Sequence, residues 1–233
     1  MQKLVLKRKY LRVHLMLFNL NLRIEALLML TRLEMTLKHP ENFEAVVAVA
    51  EGIQRSALGK HMMKYMLSQS GIKEMIQDKW RPAPIDLNYL EKLPQESLGF
   101  HYVSALKAQG VDPNKLFDHK SIDDDKDFIL HRLKETHDII HVLTGFGTDE
   151  IGELGIQAFQ LAQTRSPLAL LLIFGVILKM LQDDDEFFDF VKLMHALSRG
   201  FEAGATAKCV SSFRLEEAWE KPLNDWKAEL SLP

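Results

Sequence analysis

Apolar residues return every three or four positions along most of the chain, the spacing that gives a helix one buried face. Leu11 to Leu37 reads as one long helix stopped by His39-Pro40, and Phe43 to Leu58 as a second closed by Gly59. Met62, Met63, Met66 and Leu67 form a further apolar face. Ser97 is placed to cap a helix that runs to Gly110, and another runs from about Asp125 to Thr144. Gly145-Phe146-Gly147 stops it, and Thr148 is suited to cap a new helix whose first turn carries Asp149 and Glu150. Pro82, Pro84 and Pro94 mark Trp80 to Glu96 as irregular. No stretch alternates with period two, and no internal repeat or low-complexity tract interrupts the pattern. The prediction is an all-α, single-domain helical bundle, residues 1–80 being part of the same bundle as 81–233.

Leu168 to Leu181 breaks the amphipathic rule, being apolar on every side except at Lys179. At about 1.5 Å per residue it is about 21 Å long, short of the roughly 30 Å of a bilayer's hydrocarbon core, so it is expected to be a buried central helix. Its side chains either pack the core or wall an apolar tunnel. In the second case Leu168, Leu171, Leu172 and Leu178 line it, and Gly175 lets a chain-like ligand approach closely.

Composition narrows the choice. With 233 residues, 47% of them hydrophobic, the chain can bury a sizeable core. A formal charge of -3 argues against general nucleic-acid binding. A lone cysteine, Cys209, excludes an internal disulfide framework and is expected to serve as a small buried hydrophobe. Charge is uneven, however: Lys3, Lys7, Arg8, Lys9, Arg12 and Arg23 all precede the first acidic residue, Glu25, and alternate with apolar residues. This basic amphipathic segment reads as a first core helix with membrane contact, a membrane-surface helix or a mitochondrial transit segment. It lacks the pattern of a secretory signal.

The candidate chemistry lies at the helix stop. On a helix His137, His141 and Asp138 point to about 0°, 40° and 100°, so the three can face one small target. Glu153 follows His141 after eleven residues. If the two helices form a hairpin, His141 stands about 6 Å before the turn and Glu153 about 7 Å after it, which makes the four side chains level. Two histidines four apart are commonly a surface or hydrogen-bonded pair. What points to a metal is the carboxylate at hairpin register, with Ile139, Ile140, Val142 and Leu143 placing the cluster at the edge of a core. Two imidazoles and two carboxylates suit a divalent ion, zinc first, with a position left for water or a substrate oxygen. Lys134 and Glu135 are either outer supports of the ligands or solvated helix charges.

Two rival motifs are weaker. Asp123-Asp124-Asp125-Lys126-Asp127 contains the DDxxD pattern of isoprenyl diphosphate synthases, but Asp183-Asp184-Asp185-Glu186 with Asp189 has the wrong spacing for the second motif those enzymes need. Both acidic runs stand where helices start and are expected to be caps. An HD phosphohydrolase needs a further upstream histidine and a downstream aspartate in facing helices, and His61 or His101 is no more than a guess for the former.

His137-Asp138-x-x-His141-x11-Glu153 resembles the signature of the coenzyme Q biosynthesis protein 4 family. Leu93-Pro94-Gln95-Glu96-Ser97-Leu98-Gly99 with Tyr102 looks like another family stretch, as do Leu154-Gly155 through Gln163-Thr164 with Pro167, and Trp219-Glu220. The resemblance covers roughly Arg81 to the end. It implies a peripheral membrane protein that binds polyprenylated quinone precursors and organises other quinone-biosynthesis proteins, as a homo-oligomer. The implied location is the cytoplasmic side of a bacterial membrane, or the matrix side of the mitochondrial inner membrane in a eukaryote. As an alternative it implies a metal-dependent enzyme exchanging the C1 carboxyl of a 4-hydroxy-3-polyprenylbenzoate-type ring for a hydroxyl. An isoprenyl diphosphate-binding or prenyltransferase-like protein is the second alternative.

Overall fold

The computed structural model describes residues 56–110, 124–180 and 187–233, together with positions 52, 112 and 122. The expected helices from Leu11 to Leu37 and from Phe43, the basic N-terminal segment, Asp123 and the acidic run 183–186 lie outside the described residues. Ten α-helices occupy the described part: α1 Ala57–Met66, α2 Ser70–Gln77, α3 Leu87–Leu90, α4 Leu98–Gln109, α5 Asp125–Glu135, α6 His137–Thr144, α7 Glu150–Thr164, α8 Pro167–Met180, α9 Phe187–Thr206 and α10 Leu223–Leu230. The all-α expectation holds, and among the described residues there is no strand beyond a single bridge between Ser97 and Pro222.

Several boundaries follow the cap chemistry. The Phe100 amide donates to Ser97 Oγ at 3.2 Å, and Gly110, with φ +68°, closes α4 in the left-handed region that favours glycine. Asp124 caps α5 by accepting from the Asp127 amide at 2.8 Å, as expected of the first acidic run. Two expectations fail. Gly59 does not close a helix: α1 starts at Ala57 behind the Ser56 cap, and the Gly59 amide donates to Ser56 Oγ at 3.1 Å from inside the first turn. Nor is Asp125 to Thr144 one helix. It breaks at Thr136, whose hydroxyl donates to the Arg132 carbonyl at 2.8 Å and lies 3.0 Å from Ser211 Oγ, so a buried side chain competes for the backbone there.

The main core joins α4, α6 and α7 to the C-terminal segment through Leu98, Tyr102, Ile139, Ile140, Phe159 and Trp226. Two separate sequence stretches meet in it. The Leu98 amide donates to the Lys221 carbonyl, Gly99 to Trp219 and Leu223 to Glu96, at 3.0, 2.9 and 2.8 Å. A Cβ at Gly99 would stand 2.6 Å from the end of the Leu93 side chain and 3.1 Å from Trp219 Cβ, so a side chain there would press on this strap. Arg132, fully buried, fastens the same segment to α5: its guanidinium donates to the carbonyls of Ser211 and Phe213 and pairs with Glu216.

Helices α7 and α9 approach closely through small residues. A Cβ at Gly200 would stand 2.1 Å from the Gly155 carbonyl oxygen, and one at Gly204 would stand 2.6 Å from that of Phe159. The apolar helix α8 packs beside them but is not a buried central helix. Leu171 and Gly175 are buried and Leu168 and Leu172 half-buried, while Leu170, Phe174 and Leu178 are 49%, 40% and 39% exposed. The helix covers α7 and α9 with one side only, a distinction that uniform apolarity cannot encode. Its neighbour α9 exposes Val191, Met194 and Phe201 as well. Among the described residues no helix is long and apolar enough to cross a membrane. Cys209 is half-buried against a methionine-rich cluster formed by α1, α2 and α5, and burial pushes its thiol up.

Candidate metal centre

Gly145, with φ +71°, ends α6 and sends its amide back to the His141 carbonyl at 2.8 Å. The chain then turns, and α7 starts behind Asp149, which accepts from the Gly152 amide at 2.7 Å. The cap is therefore Asp149 and not Thr148, one residue later than expected, because the carboxylate reaches the third helical amide. The turn is pressed against α7 by two glycines. A Cβ at Gly152 would meet the Gly147 carbonyl oxygen at 2.1 Å, and one at Gly155 would meet the Phe146 ring at 2.4 Å.

This hairpin brings His137, His141 and Glu153 together, their donor atoms all within 4.8 Å of one another. The two Nε2 atoms stand 3.2 Å apart, and Glu153 approaches His141 Nε2 at 3.2 Å and His137 Nε2 at 3.5 Å. Ligands about 2.0–2.1 Å from a tetrahedral zinc are about 3.3–3.4 Å from one another, so these separations fit one face of such a site. His141 is 6% exposed, and its Nδ1 lies 3.1 Å from the Phe146 carbonyl oxygen. A carbonyl only accepts, so Nδ1 carries the hydrogen, and in the neutral ring Nε2 keeps its lone pair toward His137 and Glu153. An arrangement of acceptors this close calls for a proton or a cation between them.

The electrostatics agree. Hydrogen bonds from His137 first, then His141, outweigh burial and hold the Glu153 carboxyl at about 2. Burial opposes a charge on His141, but the Glu153 hydrogen bond, the Phe146 carbonyl and the charges of Glu153 and Asp138 together raise it.

Asp138 is not among the three clustered ligand atoms. With Tyr102, His141 and Phe146 it lines a cleft of about 250 Å³ between α4 and α6, so His141 belongs to both the cluster and the cleft. Glu135 lies 3.5 Å from Arg132, and Lys134 is exposed. His61 and His101 are exposed and stand outside the cluster, so neither supplies the further histidine of an HD phosphohydrolase. Sequence reasoning missed the role of Phe146, whose carbonyl fixes His141, and named Tyr102 only within a family-like stretch, not as a residue of the cleft. The only signal for the first was the pair Gly152 and Gly155, one helical turn apart on the face opposite the turn.

The family model described as coenzyme Q (ubiquinone) biosynthesis protein Coq4 matches residues 17–233. The mitochondrial ubiquinone biosynthesis protein COQ4 homolog of Rattus norvegicus is 27% identical over 206 residues, spanning 85% of this chain and 74% of that protein. The mitochondrial ubiquinone biosynthesis protein coq4 of Aspergillus fumigatus is 28% identical over 200 residues, spanning 84% and 68%. A crystal structure from Nostoc punctiforme, assigned to ubiquinone biosynthesis, superposes with a TM-score of 0.74 at 24% identity, covering 88% of this chain and 95% of that one. That likeness speaks for the fold.

Proposed function

Because the chain belongs to the coenzyme Q (ubiquinone) biosynthesis protein Coq4 family, we propose that it holds a polyprenylated ring intermediate of that pathway beside a divalent metal ion. The observation that carries this reading is the level trio of His137, His141 and Glu153, with separations of 3.2 and 3.5 Å and the His141 tautomer fixed by Phe146. Zinc is the ion these ligands suit best, and when bound it would polarise a ring oxygen or carboxylate. His137 and His141 present nitrogen lone pairs and Glu153 a carboxylate. Asp138, the fourth residue of the pattern, stands outside this trio and lines the adjoining cleft.

The prenyl tail belongs outside the cleft, against the apolar surface of α8. Of the residues expected to line a tunnel, Leu168, Leu172 and Leu178 offer the tail a half-open face, and the buried Leu171 and Gly175 stand behind it. Leu170 and Phe174 beside them, and Phe201 on α9, extend apolar surface to the outside, which supports contact with a bilayer or an isoprenoid lipid. On this reading the protein is peripheral to the membrane, and other quinone-biosynthesis proteins and further copies of the chain assemble around it. Its place is the matrix face of the inner mitochondrial membrane in a eukaryote, or the cytoplasmic face in a bacterium.

A second reading makes the site an enzyme that exchanges the C1 carboxyl of the ring for a hydroxyl. The sharing of His141 between the cluster and the cleft favours it. That reaction releases carbon dioxide and needs an external oxidant. Zinc has no redox chemistry, so iron, manganese or direct attack of dioxygen on an activated ring would have to carry it.

Native mass spectrometry with metal analysis tests the proposal on wild type and His141→Ala. We expect one divalent ion per chain and a co-purifying prenylated ring lipid, with the ion lost in the variant. Equal ion affinity in both proteins would refute the metal site.

A further inference from the structure

Helices α1, α2 and α5 are held together by a cluster that includes Met62, Met66, Met75 and Phe128. At the surface they frame a shallow groove of about 700 Å³, lined by Lys60 and Lys64 of α1, Lys73 of α2 and Lys126 of α5. Met63 and Leu67, both half-buried, supply its apolar lining, and no carboxylate lines it. Lys60, Lys64 and Lys73 are exposed, and none of the four ammonium groups has an ion-pair or hydrogen-bond partner among the described residues.

This placement costs the fold stability. Lys60 and Lys64 stand four apart on α1, where like charges repel. Lys60 and Lys73 lie in the first turns of α1 and α2, at the positive end of the helix dipole, and neither turn holds an acidic residue. Positive charge is thus gathered from three helices without a counter-charge in the described chain, an arrangement that calls for an external anion.

The residue types indicate which kind. Protein interfaces are enriched in arginine and aromatic side chains and depleted in lysine. Clusters of about four or more basic residues are instead what meets anionic lipid headgroups, and lysine stems lie along apolar surface while their heads stay in water. The groove holds four lysines, no arginine and no aromatic residue. A formal charge of -3 argues against nucleic acid. Helix α1 also packs against α8, whose Leu170, Phe174 and Leu178 are exposed, so basic and apolar surface adjoin.

We propose that the lysine groove of α1, α2 and α5 docks the protein on an anionic bilayer, its ammonium groups meeting lipid phosphates and Met63 and Leu67 the apolar part of the same lipids. This rests on the reading that the protein is peripheral to a membrane, and it adds an electrostatic contact to the apolar one of α8.

The test is flotation of the full chain at low salt with two kinds of vesicle, phosphatidylcholine alone and phosphatidylcholine mixed equally with phosphatidylglycerol. Wild type should prefer the anionic vesicles. Each lysine near such a surface strengthens binding about fivefold, so Lys60→Gln with Lys64→Gln should weaken it about 25-fold, and the further change Lys73→Gln about 100-fold in all. A control removes the same charge from exposed lysines outside the groove, Lys92→Gln, Lys134→Gln and Lys208→Gln, and should lose far less. An equal loss in the control would show that attraction follows net charge alone, and wild-type binding to both kinds of vesicle alike would leave only the apolar contact; either overturns the proposal. A groove variant that melts below wild type would assign the lysines to the fold, and binding of soluble polyglutamate in place of anionic vesicles would assign them to an acidic protein segment, each counting against it equally. Undiminished flotation of the groove variants overturns the groove and leaves the peripheral reading intact. Absence of wild-type binding to either vesicle removes that reading and this inference together.

Discussion

Gly155→Ala tests whether the second helix of the hairpin controls the metal ligands through the turn. The added methyl would stand 2.4, 2.6 and 2.8 Å from three atoms of the Phe146 ring. Neither side can move away. The ring is 5% exposed and lies under the Arg199 guanidinium, 4.1 Å from its centroid. Helix α7 cannot retreat either, because Gly200 of α9 stands so close behind it that a Cβ there would be 2.1 Å from the Gly155 carbonyl oxygen. Overpacking of this kind costs about 1–3 kcal/mol, or roughly 2–12 °C of melting temperature for a chain of this size. Because the Phe146 carbonyl holds His141 Nδ1, a displaced turn also misaligns the ligand. Loss of such an outer support typically weakens metal binding about 10–100-fold. Thermal melting reads the first effect and zinc titration the second. The double variant Gly155→Ala with Phe146→Leu should recover stability, since the smaller side chain makes room, and affinity with it if the carbonyl returns to its place. A single variant that melts like wild type and binds zinc equally would refute the proposed link between Gly155, Phe146 and His141.

Arg132→Ala should lower stability by about 3–5 kcal/mol in urea denaturation, because it leaves Glu216 and the carbonyls of Ser211 and Phe213 without their buried partner; a loss below about 1 kcal/mol would contradict that role. In the metal-free protein Glu153, held at about 2 against 4.5 when unfolded, contributes stability above pH 4.5 that is lost as pH falls, whereas His141, raised above 6.5, contributes below pH 6.5 and loses it as pH rises. Comparison of wild type with Glu153→Gln across pH should therefore show the largest stability difference between pH 4.5 and 6.5, and a difference growing steadily above that window would be the wrong sign. Metal affinity should run the opposite way at the histidine, rising with pH as His141 loses its proton. Replacing Leu170, Phe174 and Phe201 together by serine should weaken liposome flotation without lowering the melting temperature; undiminished flotation would move the membrane contact elsewhere.

Local sequence patterns were enough to place the elements around the site and the residues that can carry chemistry there. Helical periodicity, the Ser97 cap and the Gly110 and Gly145 stops are local, because caps and left-handed glycines act within one turn of the backbone. The level of His141 and Glu153 was legible for the same reason: a tight turn with a fixed rise per residue leaves little freedom over so short a span. Tertiary structure alone decided what depends on distant chain. Thr136, where α5 and α6 part, lies with its hydroxyl 3.0 Å from that of Ser211, far along the sequence, and Gly99 lies against Trp219. The outward faces of Leu170, Phe174 and Leu178 could not be read from a helix that is apolar all round, since burial depends on which neighbours arrive. Tyr102 was marked only as part of a family-like stretch, and its buried, unpaired hydroxyl could not be read there for the same physical reason. A phenol becomes an unpaired donor only when packing has closed around it, and that closure comes from the C-terminal segment folding back over α4.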